Sequence, residues 1–237
     1  LVRGRQLADE RRAVEASQLE EERRAAELRE AFGRYVAPGL ASQILEDREA
    51  MAPGGRLQTV TILMSDLRGF AGMTRRLGPK AMCALLNEYL GRMTEVIERH
   101  GGMVNEFIGD AILALFGTPV ASEEDTLNAC RCAVEMQMVL HQMNSELEAS
   151  GRPTLEMGIG LHTGEAIVGN IGSERRVKWG VIGDTVNIAG RIEALTLGTQ
   201  VLISSNILET VDARVITGAH RQVSIKGYTS KLDVIEL

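Results

Sequence analysis

The hydrophobic and polar pattern along the chain first predicts a long helix dominated by charge. Over 1–31 the sequence is rich in Arg, Glu and Ala and contains no proline. Leu7, Val14 and Leu28 follow a seven-residue spacing that Glu21 interrupts. Two interpretations remain, a weak parallel coiled coil and a single solvated helix. We favour the coiled coil, because a helix that is polar all round has little reason to be stable alone.

Glycine and proline end this pattern and separate it from a globular region. Pro53-Gly54-Gly55 marks a linker, so 32–56 is predicted as a short helical lead-in and 57–237 as a folded domain. Runs with strand and helix periods alternate in that domain, which predicts an α+β fold with a ferredoxin-like β-α-β-β-α-β core sheet and covering helices. The predicted helices are 79–99, 122–149 and 184–195. Two hairpins are predicted: one over 103–116, and one of strands 155–162 and 165–171 joined by a turn at Thr163-Gly164. The other predicted strands are 57–65, a short strand ending at 182, 200–203, 213–218, 221–226 and 232–236.

Composition restricts the classes of function. A hydrophobic content of 44% supports one good core, and a net charge of −6 argues against a nucleic-acid-binding protein. The longest apolar runs are far shorter than the roughly 20 residues that a membrane span requires, so no membrane contact is expected within this fragment. Three cysteines are too few for a disulfide framework. We therefore expect a cytoplasmic domain, and the start at Leu1 indicates a longer protein with a sensor domain upstream.

Two aspartates at predicted strand ends are the first candidates for chemistry. Asp66 follows the strand 57–65, and Asp110 lies in the Gly109-Asp110 turn of the hairpin. Considered separately, Asp66 could be a helix N-cap and Asp110 an ordinary turn residue. Two rigidly held carboxylates in one domain are, however, what a two-metal phosphoryl-transfer site needs.

Four motifs together resemble the class III nucleotidyl cyclases. They are MSDLRGF at 64–70, EFIGDAILALFG at 106–117, GLHTGEAIVGNIGSERR at 160–176 and GDTVNIAGRIE at 183–193. The similarity extends from about Phe32 to the C-terminus. It implies an enzyme that converts a nucleoside triphosphate into its 3′,5′-cyclic monophosphate and pyrophosphate. It also implies a head-to-tail homodimer in which each chain supplies half of each site.

The resemblance assigns roles in metal and phosphate binding. It makes Asp66 and Asp110 the metal carboxylates and the backbone carbonyl of Leu67 a further ligand, for two divalent ions, Mg²⁺ or Mn²⁺. Backbone N–H groups of the loop 68–72 can present an anion site. The residues expected to bind the triphosphate are Gly69 and Phe70 in that loop, one of Arg175 and Arg176, and Lys226.

The second half of the site is expected from the partner chain. By motif position, Asn187 orients the ribose and Arg191 stabilises charge at the α-phosphate in the transition state. The two residues are four apart on one helix and so project to the same side. Arg191 alone would more simply be a surface salt-bridge residue. Gly190, where many members have Ser, suggests close packing on this helix.

Glu106 and Gly180 occupy the positions that read the base. A carboxylate can accept guanine N1–H and N2–H together but offers nothing to adenine N1, and Glu106 is what guanylate-forming members carry. Gly180 provides no side chain for the O6 side, and Lys178 has no assigned role. Glu106 could also be a surface strand residue paired with a neighbouring lysine. The sequence thus predicts a guanylate cyclase that binds GTP; the alternatives are an adenylate cyclase with a relaxed pocket and a catalytically silent dimerising module that relays a signal.

Overall fold

A computed structural model of the chain describes residues 20, 23, 24, 54–173, 176–211, 214–224 and 231–237. The predicted lead-in before residue 54 and nearly all of the predicted N-terminal helix lie outside the described residues. Arg175, Lys226 and the side chain of Arg176 also lie outside them.

The described part of the domain alternates strands and helices, as predicted. The strands are β1 (Gly54–Leu67), β2 (Met103–Ile108), β3 (Ala111–Phe116), β4 (Met157–Ser173), β5 (Arg176–Ile182), β6 (Val201–Ser204), β7 (His220–Ser224) and β8 (Lys231–Glu236). The helices are α1 (Phe70–Leu77), α2 (Pro79–Arg99), α3 (Asp125–Ala149), α4 (Asp184–Glu193) and α5 (Ser205–Val211).

One sheet contains all of these strands. Its order is β2-β3-β1-β4-β6-β8-β7, with β5 paired to β4 outside this path. The order of β1 to β4, with antiparallel pairing of β1 to β3 and to β4, is that of a ferredoxin-like sheet. The predicted α+β fold class is therefore confirmed.

The core forms where α2 and α3 cover one face of the sheet. Helical spacing places one face of α2 inside, with Leu85, Tyr89 and Met93 buried, and strand alternation supplies Phe116 from β3. Burying each such side chain stabilises the fold by roughly 1.5–3 kcal/mol. None of the described helices is long and apolar enough to span a membrane.

The predicted turn at Thr163-Gly164 is wrong, because β4 is one continuous strand. It pairs with β1 along the whole length of β1, with Thr163 opposite Thr61 and Gly164 opposite Val60. The Thr61 hydroxyl donates to Thr163 Oγ1 at 3.1 Å. A Cβ on Gly164 would lie 3.0 Å from Thr185 Oγ1 of α4. Glycine permits close approach of that helix here and does not mark a change of chain direction.

Smaller corrections concern element boundaries and short helices. β1 begins at Gly54, inside the stretch predicted as a linker, and α3 begins at Asp125 instead of at residue 122. Helices α1 and α5 were not predicted. Residues 214–218, the described part of a predicted strand over 213–218, are not in a strand.

Candidate active site

Strand register brings the two aspartates together. In the β1–β3 ladder Ser65 pairs with Ile112, so Asp66 lies close to the start of β3. The two-residue Gly109-Asp110 turn closes the β2–β3 hairpin at the same end. The Asp66 and Asp110 carboxyl groups are close neighbours, and the backbone of Leu67 lies beside the Asp110 carboxyl group.

This proximity has an electrostatic consequence for Asp110. Burial, and after it the neighbouring Asp66 charge, raises the pKa of Asp110 to about 6. Two adjacent carboxylates favour a cation between them. No cluster of three or more His, Cys, Asp and Glu suited to a metal occurs in the described part of the chain. The donor set nevertheless fits Mg²⁺ or Mn²⁺, since Mg²⁺ commonly takes one or two carboxylates and completes its shell with water and substrate phosphates.

Arg68 lies directly beside this pair. Its Nη1 is 3.6 Å from Asp66 Oδ2, and its Nη2 donates to Glu193 Oε1 at 2.7 Å and to the Glu193 carbonyl at 3.1 Å. The same Nη2 contacts the Thr196 hydroxyl. Gly158 on β4 provides the space, because a Cβ there would overlap the guanidinium. Sequence reasoning treated Arg68 only as part of a loop.

The loop after β1 leads into a short helix. Gly69 has φ 72° and ψ 14°, the left-handed conformation that glycine adopts without strain, and α1 begins at Phe70. In the described structure no side chain caps the first N–H groups of α1. These groups can therefore meet an anion. The Phe70 side chain packs against the core, so only its main chain is available for such a contact.

Asn187 and Arg191 lie one turn apart on α4, which packs on β4 and β1. The side chain of Asn187 is exposed and that of Arg191 is half-buried. At Gly190 a Cβ would lie 3.6 Å from Met64 Cε, which is ordinary van der Waals contact. The expected close packing at Gly190 is therefore absent. Glycine is required instead at Gly160, where a Cβ would overlap the Glu193 main chain.

Glu106 forms an ion pair with a residue that sequence reasoning left without a role. Lys178 Nζ on β5 lies 2.6 Å from Glu106 Oε2 on β2, and both side chains are about half exposed, at 49% and 46%. The alternative expectation, pairing of Glu106 with a neighbouring lysine, thus describes an observed contact. Lys178 could have been found from the sequence, because it lies two residues before Gly180 and so on the same face of the strand.

Two buried polar atoms on the same strands as this pair lack a hydrogen-bond partner in the part of the chain that the structure describes. Asn105 Oδ1 and Trp179 Nε1, each adjacent in sequence to one member, are buried and have no hydrogen-bond partner among the described residues. Such atoms often mark a place that a ligand or a partner chain completes. Gly180 is buried, and a Cβ there would lie 3.3 Å from Ile171 Cδ1.

An apolar row crosses three strands near this region. Leu57, Ile167 and Ile182 are directly opposite one another on β1, β4 and β5, and they are 66%, 45% and 54% exposed. Directly opposite residues share one face of a sheet. The row therefore forms a continuous exposed apolar strip, and it lies on the face of β5 that carries Lys178 and Gly180.

Comparisons with known proteins identify the family of this domain. The family model of the adenylate and guanylate cyclase catalytic domain matches residues 53–235. Adenylate cyclase 1 of Rhizobium meliloti (strain 1021) is 32% identical over 208 residues, 87% of this chain and 31% of that protein. The adenylate cyclase of Anabaena cylindrica is 33% identical over 210 residues, 84% of this chain and 40% of that protein. The chain thus spans well under half the length of these relatives.

Solved structures of both specificities are similar. The crystal structure of the guanylyl cyclase Cya2 has 46% identity and a TM-score of 0.75, covering 77% of this chain and 93% of that one. The adenylyl cyclase CyaB from P. aeruginosa has 27% identity and a TM-score of 0.74, covering 77% and 94%. With the family model matching most of its length, the chain belongs to the adenylate and guanylate cyclase catalytic domain family, the class III nucleotidyl cyclases.

Proposed function

We propose that the chain is a guanylate cyclase, which converts GTP into 3′,5′-cyclic GMP and pyrophosphate at sites shared between two copies. The observation that carries this proposal is the Glu106–Lys178 pair. It places a donor, Lys178, beside the acceptor Glu106, which occupies a position expected to read the base. The substrate-binding roles of Gly69, Phe70, Arg175, Arg176 and Lys226 remain part of the proposal.

The hydrogen-bond inventory of guanine fits this pair. Guanine N1–H and N2–H donate to Glu106, while O6 accepts from Lys178, which supplies the donor that Gly180 lacks. In the same orientation adenine presents a lone pair at N1 to the carboxylate and an amino group at N6 to the ammonium. Each unmatched polar group costs about 1–3 kcal/mol. Two mismatches sum to about 2–6 kcal/mol, which corresponds to a preference for GTP of roughly 30-fold to 10⁴-fold.

The reaction needs an ionised ribose 3′-hydroxyl and neutralised phosphates. Divalent ions at Asp66, Asp110 and the Leu67 carbonyl would supply both effects. The chain itself contributes orientation and charge. Asn187 holds the ribose so that the 3′-oxygen faces the α-phosphate, and Arg191 donates to the phosphate oxygens where negative charge increases. The N–H groups at the start of α1 hold the triphosphate.

Dimerisation completes each site. The strip of Leu57, Ile167 and Ile182 is an exposed apolar surface on a sheet face, which favours burial against a second copy. Lys178 and Gly180 lie on the same face of β5, so the surface that meets the partner also borders the base pocket. Head-to-tail pairing places Asp66 and Asp110 of one chain opposite Asn187 and Arg191 of the other.

Adenylate cyclase is the competing assignment, since relatives with that name match most of the chain. Adenine would then have to be turned so that N1 accepts from Lys178 and N6 donates to Glu106. Turnover of GTP and ATP by the purified domain, each with Mg²⁺ and with Mn²⁺, tests the proposal. We expect kcat/KM to favour GTP by at least about ten-fold. A preference for ATP would reject the guanylate assignment, and absence of cyclic product from both would reject catalysis by this domain.

A further inference from the structure

We propose that Arg68 is a positioning residue that connects the two active sites of the dimer through a single chain. This inference rests on the shared site proposed above, in which Asp66 and α4 of one chain serve different sites. Arg68 contacts both. Its Nη1 lies 3.6 Å from Asp66 Oδ2, and its Nη2 binds the last residue of α4, Glu193, through both carboxylate and carbonyl oxygens.

The surroundings of the guanidinium form a built cradle. Gly158 admits it, and Gly160 admits the main chain of Glu193, because a Cβ at either position would overlap these groups. Both glycines belong to β4 and lie on one face of the strand. The Thr196 hydroxyl, just beyond α4, provides a further acceptor for Nη2. Glu193 is nearly buried, with a side chain only 9% exposed, so its charge depends on Arg68 for compensation.

This arrangement makes the end of α4 sensitive to the charge at Asp66. A cation bound beside Asp66 repels the guanidinium and thereby strengthens its contacts with Glu193 and Thr196. Arg191 is two residues before Glu193, so a tighter end of α4 restricts the residue that acts on the phosphate of the other site. Metal binding in one site thus pre-organises its neighbour. Because one planar guanidinium makes all these contacts, lysine cannot replace it.

The decisive experiment uses a dimer with one working site. One chain carries Asp66→Asn and its partner carries Arg191→Ala, so the working site uses Arg191 of the first chain and Asp66 of the second. Arg68→Lys is then added to the first chain only, where residue 66 is already Asn, so this arm tests the contacts of Arg68 with α4 separately from its contact with Asp66. We expect kcat to fall about ten-fold, with KM for GTP within about two-fold, because misplacing a catalytic group slows chemistry more than binding.

Matched variants separate this effect from a loss of stability. Arg92→Lys in the first chain is the control. Arg92 on α2 pairs with Glu88 of the same helix and with Glu146 of α3, so it makes comparable ion pairs without involving α4. The substitution should leave kcat unchanged. Glu193→Gln retains the shape and removes the charge, and it provides a second test if Arg68→Lys folds poorly. We expect Glu193→Gln to lower kcat in the same chain.

A measurement without turnover tests the same connection. Adding Mn²⁺ alone to the wild-type homodimer should slow hydrogen exchange over 184–193, and Arg68→Lys should abolish this protection. The inference is overturned if Arg68→Lys lowers kcat only when it is placed in the second chain, or if Mn²⁺ leaves exchange of wild-type α4 unchanged. If the one-site dimer is inactive while wild type is active, the shared site itself is wrong, and the inference fails with it.

Discussion

Exchanging the charges of Glu106 and Lys178 should convert the base preference. Both side chains are about half exposed, so their ion pair contributes at most about 1 kcal/mol to the free energy of unfolding. Reversing the pair with Glu106→Lys/Lys178→Glu should therefore leave the fold intact. Under the proposed function the two charges should affect recognition far more than stability, because bound nucleotide would remove water from around them.

The size of the switch follows from counting mismatches. Glu106→Lys alone turns the acceptor for guanine N1–H and N2–H into a donor, so kcat/KM for GTP should fall by about two orders of magnitude. ATP turnover should rise only modestly, because the neighbouring ammonium still opposes the adenine N6 amino group. Adding Lys178→Glu supplies an acceptor for N6, and kcat/KM for ATP should then exceed that for GTP.

Steady-state kinetics with both nucleotides in wild type, Glu106→Lys and the charge-exchanged variant is the assay. Gly180→Asp in the Glu106→Lys background is a useful comparison, since its Cβ would lie 3.3 Å from Ile171 Cδ1 and requires that side chain to move. It should favour ATP less than the charge exchange does. Two results would refute the reasoning: an unchanged GTP/ATP ratio in Glu106→Lys, or a charge-exchanged variant that still prefers GTP.

Three further predictions concern the metal pair, the shared site and pH. Asp66→Asn and Asp110→Asn should each lower kcat by at least roughly 10³-fold in a dimer that still forms, and the double variant should have a kcat no lower than the single variants. Substantial activity in either single variant would contradict the assignment of these aspartates as metal ligands. Mixing inactive Asp66→Asn with inactive Arg191→Ala should restore up to about half of the sites in each mixed dimer, and no recovery despite subunit exchange would indicate that one chain holds a complete site. Burial lowers the pKa of His162 to about 4, so the free energy of unfolding should fall by up to roughly 3 kcal/mol as pH drops from 6.5 through 4. Measured by urea unfolding, the stability of His162→Gln should depend less on pH than that of wild type. Parallel pH profiles of the two proteins would count against this cause.

Local signals explain which elements could be predicted. The hairpin around Gly109-Asp110 carries its own turn chemistry, and α2 repeats its apolar positions over 21 residues. These elements appear where the sequence places them. Helices α1 and α5 have only 8 and 7 residues, too few turns for a helical period to emerge from the pattern. Their stability depends on packing that the sequence alone does not reveal.

The residues of the candidate site likewise fall into those that the sequence could predict and those that it could not. Motifs identified Asp66 and Asp110, and strand register explains why these carboxylates meet. Gly164 misled the prediction, because glycine has the same sequence signature whether it permits a turn or a close approach. At Gly164 the deciding contact is with Thr185, a neighbour supplied by tertiary packing. Arg68 was overlooked for a similar reason, since its acceptors lie more than 120 residues away along the chain.

The Glu106–Lys178 ion pair joins two strands of one chain, so under the proposed function each protomer would carry its own base-reading group. A pairing of the wild-type chain with the charge-exchanged chain should therefore hold one pocket for guanine and one for adenine. Such a dimer would release two different cyclic nucleotides from a single particle. After gene duplication, two substitutions in one copy could therefore be enough for the dimer to produce an additional cyclic nucleotide. Both copies would keep the same proposed metal ligands and the same interface.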